Sequence, residues 1–294
     1  MTDLRAPRRA RRVAGAVALT ASMLTVGAAS LAPGAVSAAP IGDGSYTCSG
    51  GSPGSPALVP EGAYGSVTVT GFCYMQGSYA IRHSLTVGPG GVLDAAVFQF
   101  FPGVGTPGMS AKGAQPCNVF VSVAGGVEVG TNATLFLGNG AGTHCSSSND
   151  VVNGGLTAIG ASTVVVHGST INGGMSVEGG GGTSCSPTAA SPVGAYTDVE
   201  DSAVNGAVSF SDVSTCWMGF IRNMDNGTVS ITNNTMSDPD AIEIGLNDIH
   251  GSLACSGNAL AFPGAGGVPT NSFDGSPPNP NTVTGSETGQ CAGL

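Results

Sequence analysis

The chain has 294 residues, of which 49 are glycine and only 9% are charged, and its formal net charge is −10. Five of its eight lysine and arginine residues lie before residue 13, so from residue 40 onward three basic residues face seventeen acidic ones, a net charge of −14. A surface of that sign repels phosphate backbones, which argues against a nucleic-acid-binding protein and leaves cationic partners, metal ions and neutral glycans open.

The first predicted element is a signal peptide over residues 1–39. Five arginines precede a mildly apolar stretch at residues 13–31, and small residues follow at positions 36–39. This order is typical of an export signal that is removed. A membrane anchor is the alternative because the stretch is about as long as a short spanning helix, but its glycine, serine and threonine content favours removal. The sequence therefore predicts a secreted, extracellular protein, with the translocation route left open.

All eight cysteines follow the predicted signal, and an even number in an oxidising compartment indicates a disulfide framework. The absence of a C-x-x-C motif and the scattered histidines disfavour a structural zinc site. Sequence alone permits 105 pairings, but pairing the cysteines in chain order closes four local excursions of the chain. The predicted pairs are Cys48–Cys73, Cys117–Cys145, Cys185–Cys216 and Cys255–Cys291.

Residues 40–256 are predicted to form an all-β domain. Short β-branched runs alternate there with turns of glycine, asparagine and serine, at the spacing of an all-β protein. The runs are residues 66–70, 119–124, 134–137, 163–166, 229–232 and 242–244. Beyond residue 256 the pattern dissolves, so residues 257–294 are predicted to form an irregular tail tied back by Cys291.

A sequence repeat around an Asn-Gly turn indicates which all-β architecture to expect. Residues 171–177, 204–210, 225–231 and 249–255 align without gaps, and fainter copies begin at residues 153, 124 and 89. The aligned columns are Asn172, Asn205, Asn226 and His250; Met175, Val208, Val229 and Leu253; and Val177, Phe210, Ile231 and Cys255.

A repeat of about 20 residues with three short strands predicts a right-handed parallel β-helix. Like side chains then stack about 4.8 Å apart on successive coils, and a buried asparagine column can pass amide hydrogen bonds along the stack. Antiparallel hairpins also use Asn-Gly turns, so a sandwich or barrel is the alternative. The constant order of residues before and after each turn favours the coil.

The columns resemble the pectate-lyase-like superfamily of secreted right-handed parallel β-helices, over about residues 64–256. Residues 253–258, 281–285 and 288–291 are also similar to the endings of exported actinobacterial proteins of unassigned function. The superfamily includes polysaccharide lyases and hydrolases, phage tailspikes and adhesins, so the resemblance implies a fold without selecting an activity. The basic residues and the Asp-rich calcium site of a typical pectate lyase have no match here.

The strand before each Asn turn supplies the candidate catalytic residues. If Val166, Val199, Phe220 and Ile244 form one inward column, two outward columns follow. These are Val165, Asp198, Gly219 and Glu243, and His167, Glu200, Ile221 and Gly245. His167 and Glu200 are then expected about 5 Å apart, with Asp198 beside them, Arg222 close by and Glu243 two coils further on.

The candidate catalytic residues are His167, Asp198, Glu200 and Glu243. A histidine beside a carboxylate can perform general acid–base catalysis, and paired carboxylates serve glycoside hydrolysis. Solvated surface acids are the alternative interpretation. Trp217 could stack on a sugar, or pack against the disulfide of the adjacent Cys216.

Three functions are compatible with these features. The main expectation is a secreted non-enzymatic β-helix protein, a surface or matrix component that binds a glycan or another protein, indicated by the outward column Ser176, Ser209 and Ser230. The second is a carbohydrate-active enzyme, a polysaccharide lyase or glycoside hydrolase acting on an extracellular polysaccharide. The third is a metal-binding module. No cofactor, no metal, no nucleic acid and no membrane contact after signal removal are predicted.

Overall fold

The computed structural model describes residues 42–96, 119–139, 149–182, 184–186, 194–238, 241–261, 269–272 and 277–294. These residues contain thirty β-strands and no helix. None of the described segments therefore offers a helix that could cross a membrane. The predicted signal peptide and the predicted pair Cys117–Cys145 lie outside the described residues.

The strands are two to five residues long. In chain order they are β1 Tyr46–Cys48, β2 Ala57–Val59, β3 Gly62–Tyr64, β4 Val67–Val69, β5 Phe72–Met75, β6 Gly77–Ile81, β7 Leu85–Val87, β8 Val92–Ala95, β9 Val119–Val123, β10 Val127–Val129, β11 Thr134–Leu137, β12 Asp150–Val152, β13 Leu156–Ile159, β14 Thr163–His167, β15 Ser169–Ile171, β16 Met175–Glu178, β17 Tyr196–Glu200, β18 Ala203–Val204, β19 Val208–Ser211, β20 Ser214–Thr215, β21 Trp217–Ile221, β22 Met224–Asp225, β23 Val229–Thr232, β24 Thr235–Met236, β25 Glu243–Gly245, β26 Asp248–Ile249, β27 Leu253–Ser256, β28 Ala259–Leu260, β29 Thr282–Val283 and β30 Glu287–Gly289.

The described residues form three long parallel sheets and one short sheet, and each winding from β1 to β26 adds one strand to each long sheet. Sheet 1 has the order β1-β4-β7-β10-β13-β16-β19-β23-β27-β30, and sheet 2 the order β2-β5-β8-β11-β14-β17-β21-β25. Sheet 3 has the order β3-β6-β9-β12-β15-β18-β22-β26-β29, and the short sheet 4 is β20-β24-β28. This is a parallel β-helix, as predicted. The hairpin alternative is wrong because neighbouring strands at the Asn turns run in the same direction.

The predicted inward columns are confirmed in sheet 1. Met175, Val208, Val229 and Leu253 pair in register and are buried, as are Val177, Phe210, Ile231 and Cys255. Side chains alternate between inward and outward along each strand, so each winding adds one apolar residue to each file and the next winding covers it. Burial of each such side chain stabilises the fold by about 1.5–3 kcal/mol.

One of the fainter repeats belongs to a different sheet. Val92, in the copy that begins at residue 89, pairs with Thr134 in sheet 2. In that winding the sheet 1 strand is β7, in which Leu85 pairs with Val127. A Gly-Gly pair indicates a turn between two strands but does not indicate which two sheets the turn connects. The copy that begins at residue 89 was therefore aligned with the wrong sheet.

The Asn column forms a hydrogen-bonded ladder, but on the surface rather than in the interior. Asn172 donates through Nδ2 to Oδ1 of Asn153 at 2.8 Å, and Asn205 to Asn172 at 2.8 Å. Asn226 donates to Asn205 at 2.5 Å, and His250 Nδ1 lies 2.8 Å from Asn226 Oδ1. The residue before each ladder member is buried and points inward, so the ladder side chain that follows it points outward to the surface.

The residue after each Asn must be glycine because the backbone of the neighbouring winding lies too close to leave room for a side chain. A Cβ atom on Gly206 would lie 2.7 Å from the backbone nitrogen of Gly174, and one on Gly227 would lie 2.5 Å from the carbonyl carbon of Gly206. Any side chain at these positions would hold adjacent windings apart.

The described residues of the C-terminal segment include a further winding. Thr282 in β29 pairs with Asp248 of sheet 3, and Glu287 in β30 pairs with Leu253 of sheet 1. The structure differs here from the expectation of an irregular tail, because residues 281–285 repeat the Asn-x-x-x-Gly spacing of earlier corners within a glycine- and proline-rich composition.

Among the described residues, three disulfides close local excursions of the chain. They are Cys48–Cys73, Cys185–Cys216 and Cys255–Cys291, all as predicted. The last ties the C-terminal segment to an inward position of sheet 1, where both cysteines are buried. Such bonds fit an extracellular, oxidising location.

Candidate functional site

The candidate site lies on the outer face of sheet 2, on strands β14, β17, β21 and β25. The predicted inward column is confirmed: Val166, Val199, Phe220 and Ile244 pair in register and are fully buried. The two outward columns are also in the predicted register: Val165, Asp198, Gly219 and Glu243, and His167, Glu200, Ile221 and Gly245.

A buried histidine–carboxylate pair forms the centre of this site. His167 Nε2 lies 2.7 Å from Oδ2 of Asp198, and each residue is only 9% exposed. The strand register places His167 opposite Glu200, but the imidazole makes its contact diagonally, with the residue two positions earlier. The other Asp198 oxygen, Oδ1, is buried and has no hydrogen-bond partner among the described residues.

Arg222 closes one side of the cluster at the turn after β21. Its Nε donates to Oδ1 of Asp201 at 2.6 Å, and its Nη2 donates to Oδ2 of Asp201 at 3.0 Å and to Oε2 of Glu200. Two parallel bonds to one carboxylate are the strong arrangement for a guanidinium. Asp201 is therefore the main partner of the Arg222 guanidinium, and Glu200 is a second one.

The environment shifts the pKa of several groups in the cluster. Burial lowers the pKa of His167, but the hydrogen bond to Asp198 and the negative charges of Asp198, Glu200 and Asp201 outweigh burial and raise it above the usual value. Burial and the charge of Asp198 raise the pKa of Glu200, against the opposing effect of His167 and Arg222. The site thus favours a protonated histidine and resists accumulation of further negative charge.

We expect the His167 titration to depend on Asp198. In the wild type the midpoint should lie above the ordinary histidine value of about 6.5, and in Asp198→Asn it should fall below that value because burial then dominates. The pKa is measured from the imidazole proton shifts by NMR. Glu178→Gln, a charge removal on the exposed face of sheet 1, should leave the midpoint unchanged. A midpoint that is the same in the wild type and Asp198→Asn would contradict the assigned pair.

Glu243 does not join the pair. It is buried, lies two strands beyond Asp198 and forms a backbone bridge with Thr270. Gly219 separates the two acids, and the Trp217 ring covers it, since a Cβ atom on Gly219 would lie 2.2 Å from that ring and 2.9 Å from Asp198 Oδ1. Trp217 thus packs over the sheet beside Asp198.

Three of the four candidate residues therefore come together, namely His167, Asp198 and Glu200. Asp201 was missed as the principal partner of Arg222. The available signal was its position directly after Glu200, at the end of an outward-facing strand. Asp201 adopts a positive φ of 51°, which turns the chain at that corner and aims its carboxylate at Arg222.

The fold and the cluster define the class: a disulfide-tied parallel β-helix that carries a buried histidine–carboxylate pair on one outer sheet face. Comparison with protein-family models, with curated proteins and with solved structures finds no match to this chain.

Proposed function

We propose that the protein is a secreted, non-enzymatic β-helix protein of the pectate-lyase-like superfamily that binds an extracellular glycan along sheet 1. The predicted signal peptide and the three disulfides support secretion. The stacked columns and the parallel winding support the superfamily. The net charge of −14 after residue 39 favours a neutral glycan over an acidic one, because like charges repel.

The observation that carries this proposal is a file of hydroxyl side chains on the outward face of sheet 1. Thr157, Ser176, Ser209 and Ser230 pair in register on four consecutive strands. Ser211, Thr232 and Ser256 form a second file two residues further along these strands. Interstrand spacing sets the hydroxyls of each file about 4.8 Å apart.

Such a file suits a repeating polyol. Each hydroxyl offers one donor and two acceptors without a charge, and a sugar chain presents the same groups in a repeating order. The strands that hold the hydroxyls are rigid, so little conformational entropy is lost when a ligand binds. A file of hydroxyls at constant spacing therefore supports binding to an extended polymer.

Removing two hydroxyls from the file is expected to weaken glycan binding about tenfold, because each lost hydrogen bond contributes about 0.5–1.5 kcal/mol. A glycan array with the purified protein identifies the ligand, and calorimetry compares the wild type with the double variant Ser209→Val/Ser230→Val. Valine is well tolerated in strands.

The matched control is Ser122→Val/Thr170→Val, which removes two half-buried hydroxyls from sheet 3. It should retain wild-type affinity. Equal loss in both variants, or the absence of any glycan ligand on the array, would overturn the proposal, and binding of a protein instead would redirect it to that class of partner.

A second candidate function is a carbohydrate-active enzyme, and the specific observation in its favour is the His167–Asp198 pair with Glu200 beside it. Histidine and carboxylate at hydrogen-bonding distance can transfer a proton to or from a substrate. A polysaccharide panel tests this directly. If activity is found, His167→Ala and Asp198→Asn should abolish it, while the sheet 1 variant should leave kcat unchanged; unaltered turnover in the first two would dismiss this candidate.

A further inference from the structure

The side chains of His167, Asp198 and Glu200 have the geometry of a partly assembled ligand set. One donor atom from each lies within 4.8 Å of the other two. Ligands of a tetrahedral zinc ion, bound at about 2.0–2.2 Å, stand roughly 3.4 Å apart. Small rotations of three side chains would therefore close the site, and adjacent parallel strands hold their backbones fixed.

One oxygen of Asp198 is buried without a hydrogen bond from the described residues. Asp198 is nine-tenths buried, and its Oδ1 lacks a hydrogen-bond partner among the described residues. A buried carboxylate oxygen without a partner is costly, by about 1–3 kcal/mol or more for a charged group. A cation bound by the Asp198 carboxylate would offset part of that penalty.

The charge balance of the cluster favours a cation as well. Asp198, Glu200 and Asp201 bring three carboxylates, and Arg222 supplies one permanent positive charge. The cluster carries a net charge of −1 with His167 protonated, and of −2 with His167 neutral, the form that binds a metal ion. Because Asp201 alone can hold Arg222 through two hydrogen bonds, Glu200 is free to turn from the guanidinium toward a metal ion.

We propose that His167, Asp198 and Glu200 bind one divalent transition-metal ion of the zinc class. An imidazole nitrogen with two carboxylate oxygens suits Zn²⁺ and its first-row neighbours, whereas Ca²⁺ and Mg²⁺ prefer sites made of oxygen alone. Three protein ligands leave a fourth position for water or for a group of a bound molecule. The site lies on sheet 2 and does not depend on glycan binding by sheet 1.

Zinc titration of the purified, chelator-treated and tag-free protein tests the proposal. We expect one Zn²⁺ per chain by calorimetry, a higher melting temperature and no comparable binding of Ca²⁺. Trp217, the single tryptophan of the chain, provides a further signal because its ring adjoins Asp198, so its emission should change with the same midpoint. His167→Ala should weaken zinc binding at least tenfold.

The matched control is His250→Ala, since His250 also lies beside a carboxylate, 3.4 Å from Asp248, but is exposed. It should bind zinc as the wild type does. Glu200→Gln and Asp198→Asn preserve side-chain shape and guard against loss of binding through misfolding; both should weaken binding. The proposal is overturned if the wild type binds no zinc, if Ca²⁺ binds equally well, or if the two shape-preserving variants bind zinc unchanged.

Discussion

Replacing the buried Asn247 by alanine is expected to lower the free energy of unfolding by about 4 kcal/mol. Asn247 is 2% exposed and lies in a column between the buried Asn223 and the half-buried Asn281. Its Nδ2 donates to the Phe220 carbonyl at 2.7 Å and to Asn281 Oδ1 at 2.8 Å. Its Oδ1 accepts from the backbone nitrogen of Asn223 at 2.8 Å.

Alanine would remove the side-chain hydrogen bonds to the buried Phe220 carbonyl and to the buried Asn223 nitrogen. Each unsatisfied buried group costs about 1–3 kcal/mol, so two such groups account for the expected loss of about 4 kcal/mol. The melting temperature should fall by about 10 °C for a chain of this size. Chemical or thermal unfolding followed by circular dichroism measures the change.

The chain supplies its own control for this prediction. Asn205→Ala removes an amide that also bonds to two neighbouring asparagines, but in the exposed ladder. Water satisfies the remaining groups there, so the loss should stay below about 1 kcal/mol. Equal destabilisation by the two substitutions would show that burial does not govern the strength of these ladders.

Asp225→Asn is expected to stabilise the protein by about 3 kcal/mol above pH 7 and to have little effect near pH 4. Asp225 occupies an inward position of sheet 3 between Val204 and Ile249 and is fully buried. Its Oδ1 accepts a hydrogen bond from the nitrogen of Gly227 at 2.6 Å, while Oδ2 has no hydrogen-bond partner among the described residues.

Burial raises the pKa of Asp225 to about 6, against the opposing effects of the Gly227 hydrogen bond and of His250. Because this value exceeds the unfolded value of about 3.9, the folded state binds the proton more tightly. The contribution of Asp225 to folding stability is therefore fully present below about pH 4 and is lost as pH rises through 6, by about 3 kcal/mol in total. Asparagine keeps the acceptor oxygen and cannot ionise.

Melting temperatures of the wild type and Asp225→Asn between pH 4 and pH 8 test this linkage. The two curves should coincide at low pH and diverge as pH rises. Asp212→Asn, at an exposed position with a φ of 55° that asparagine tolerates, should follow the wild type throughout. Parallel curves for the wild type and Asp225→Asn would mean that Asp225 does not ionise in the folded protein.

The parallel β-helix could be predicted because its repeat is translational. Each winding places a similar residue at the same point, so aligned sequence columns become spatial files, as for Met175, Val208 and Val229. The three observed disulfides followed from the same logic, since pairing in chain order joins segments that are near in sequence and hence near along the coil.

The candidate site could be predicted only to the level of register. His167, Asp198 and Glu200 could be assigned to one outer face because successive side chains of a β-strand point to opposite faces of the sheet. It could not say that the imidazole would turn to Asp198 or that Arg222 would be held mainly by Asp201. Those outcomes depend on side-chain rotations and on burial by neighbouring strands.

The winding, the inward files and the order in which strands meet follow from the amino-acid sequence alone. Which asparagines lie inside depends on the packing of the folded chain: Asn223 and Asn247 are buried, while Asn226, three residues after Asn223, is exposed. Strands have a strict inward–outward period, but the corners between sheets have none. At a corner the backbone turn and the fit against the next winding decide which polar side chain enters the core.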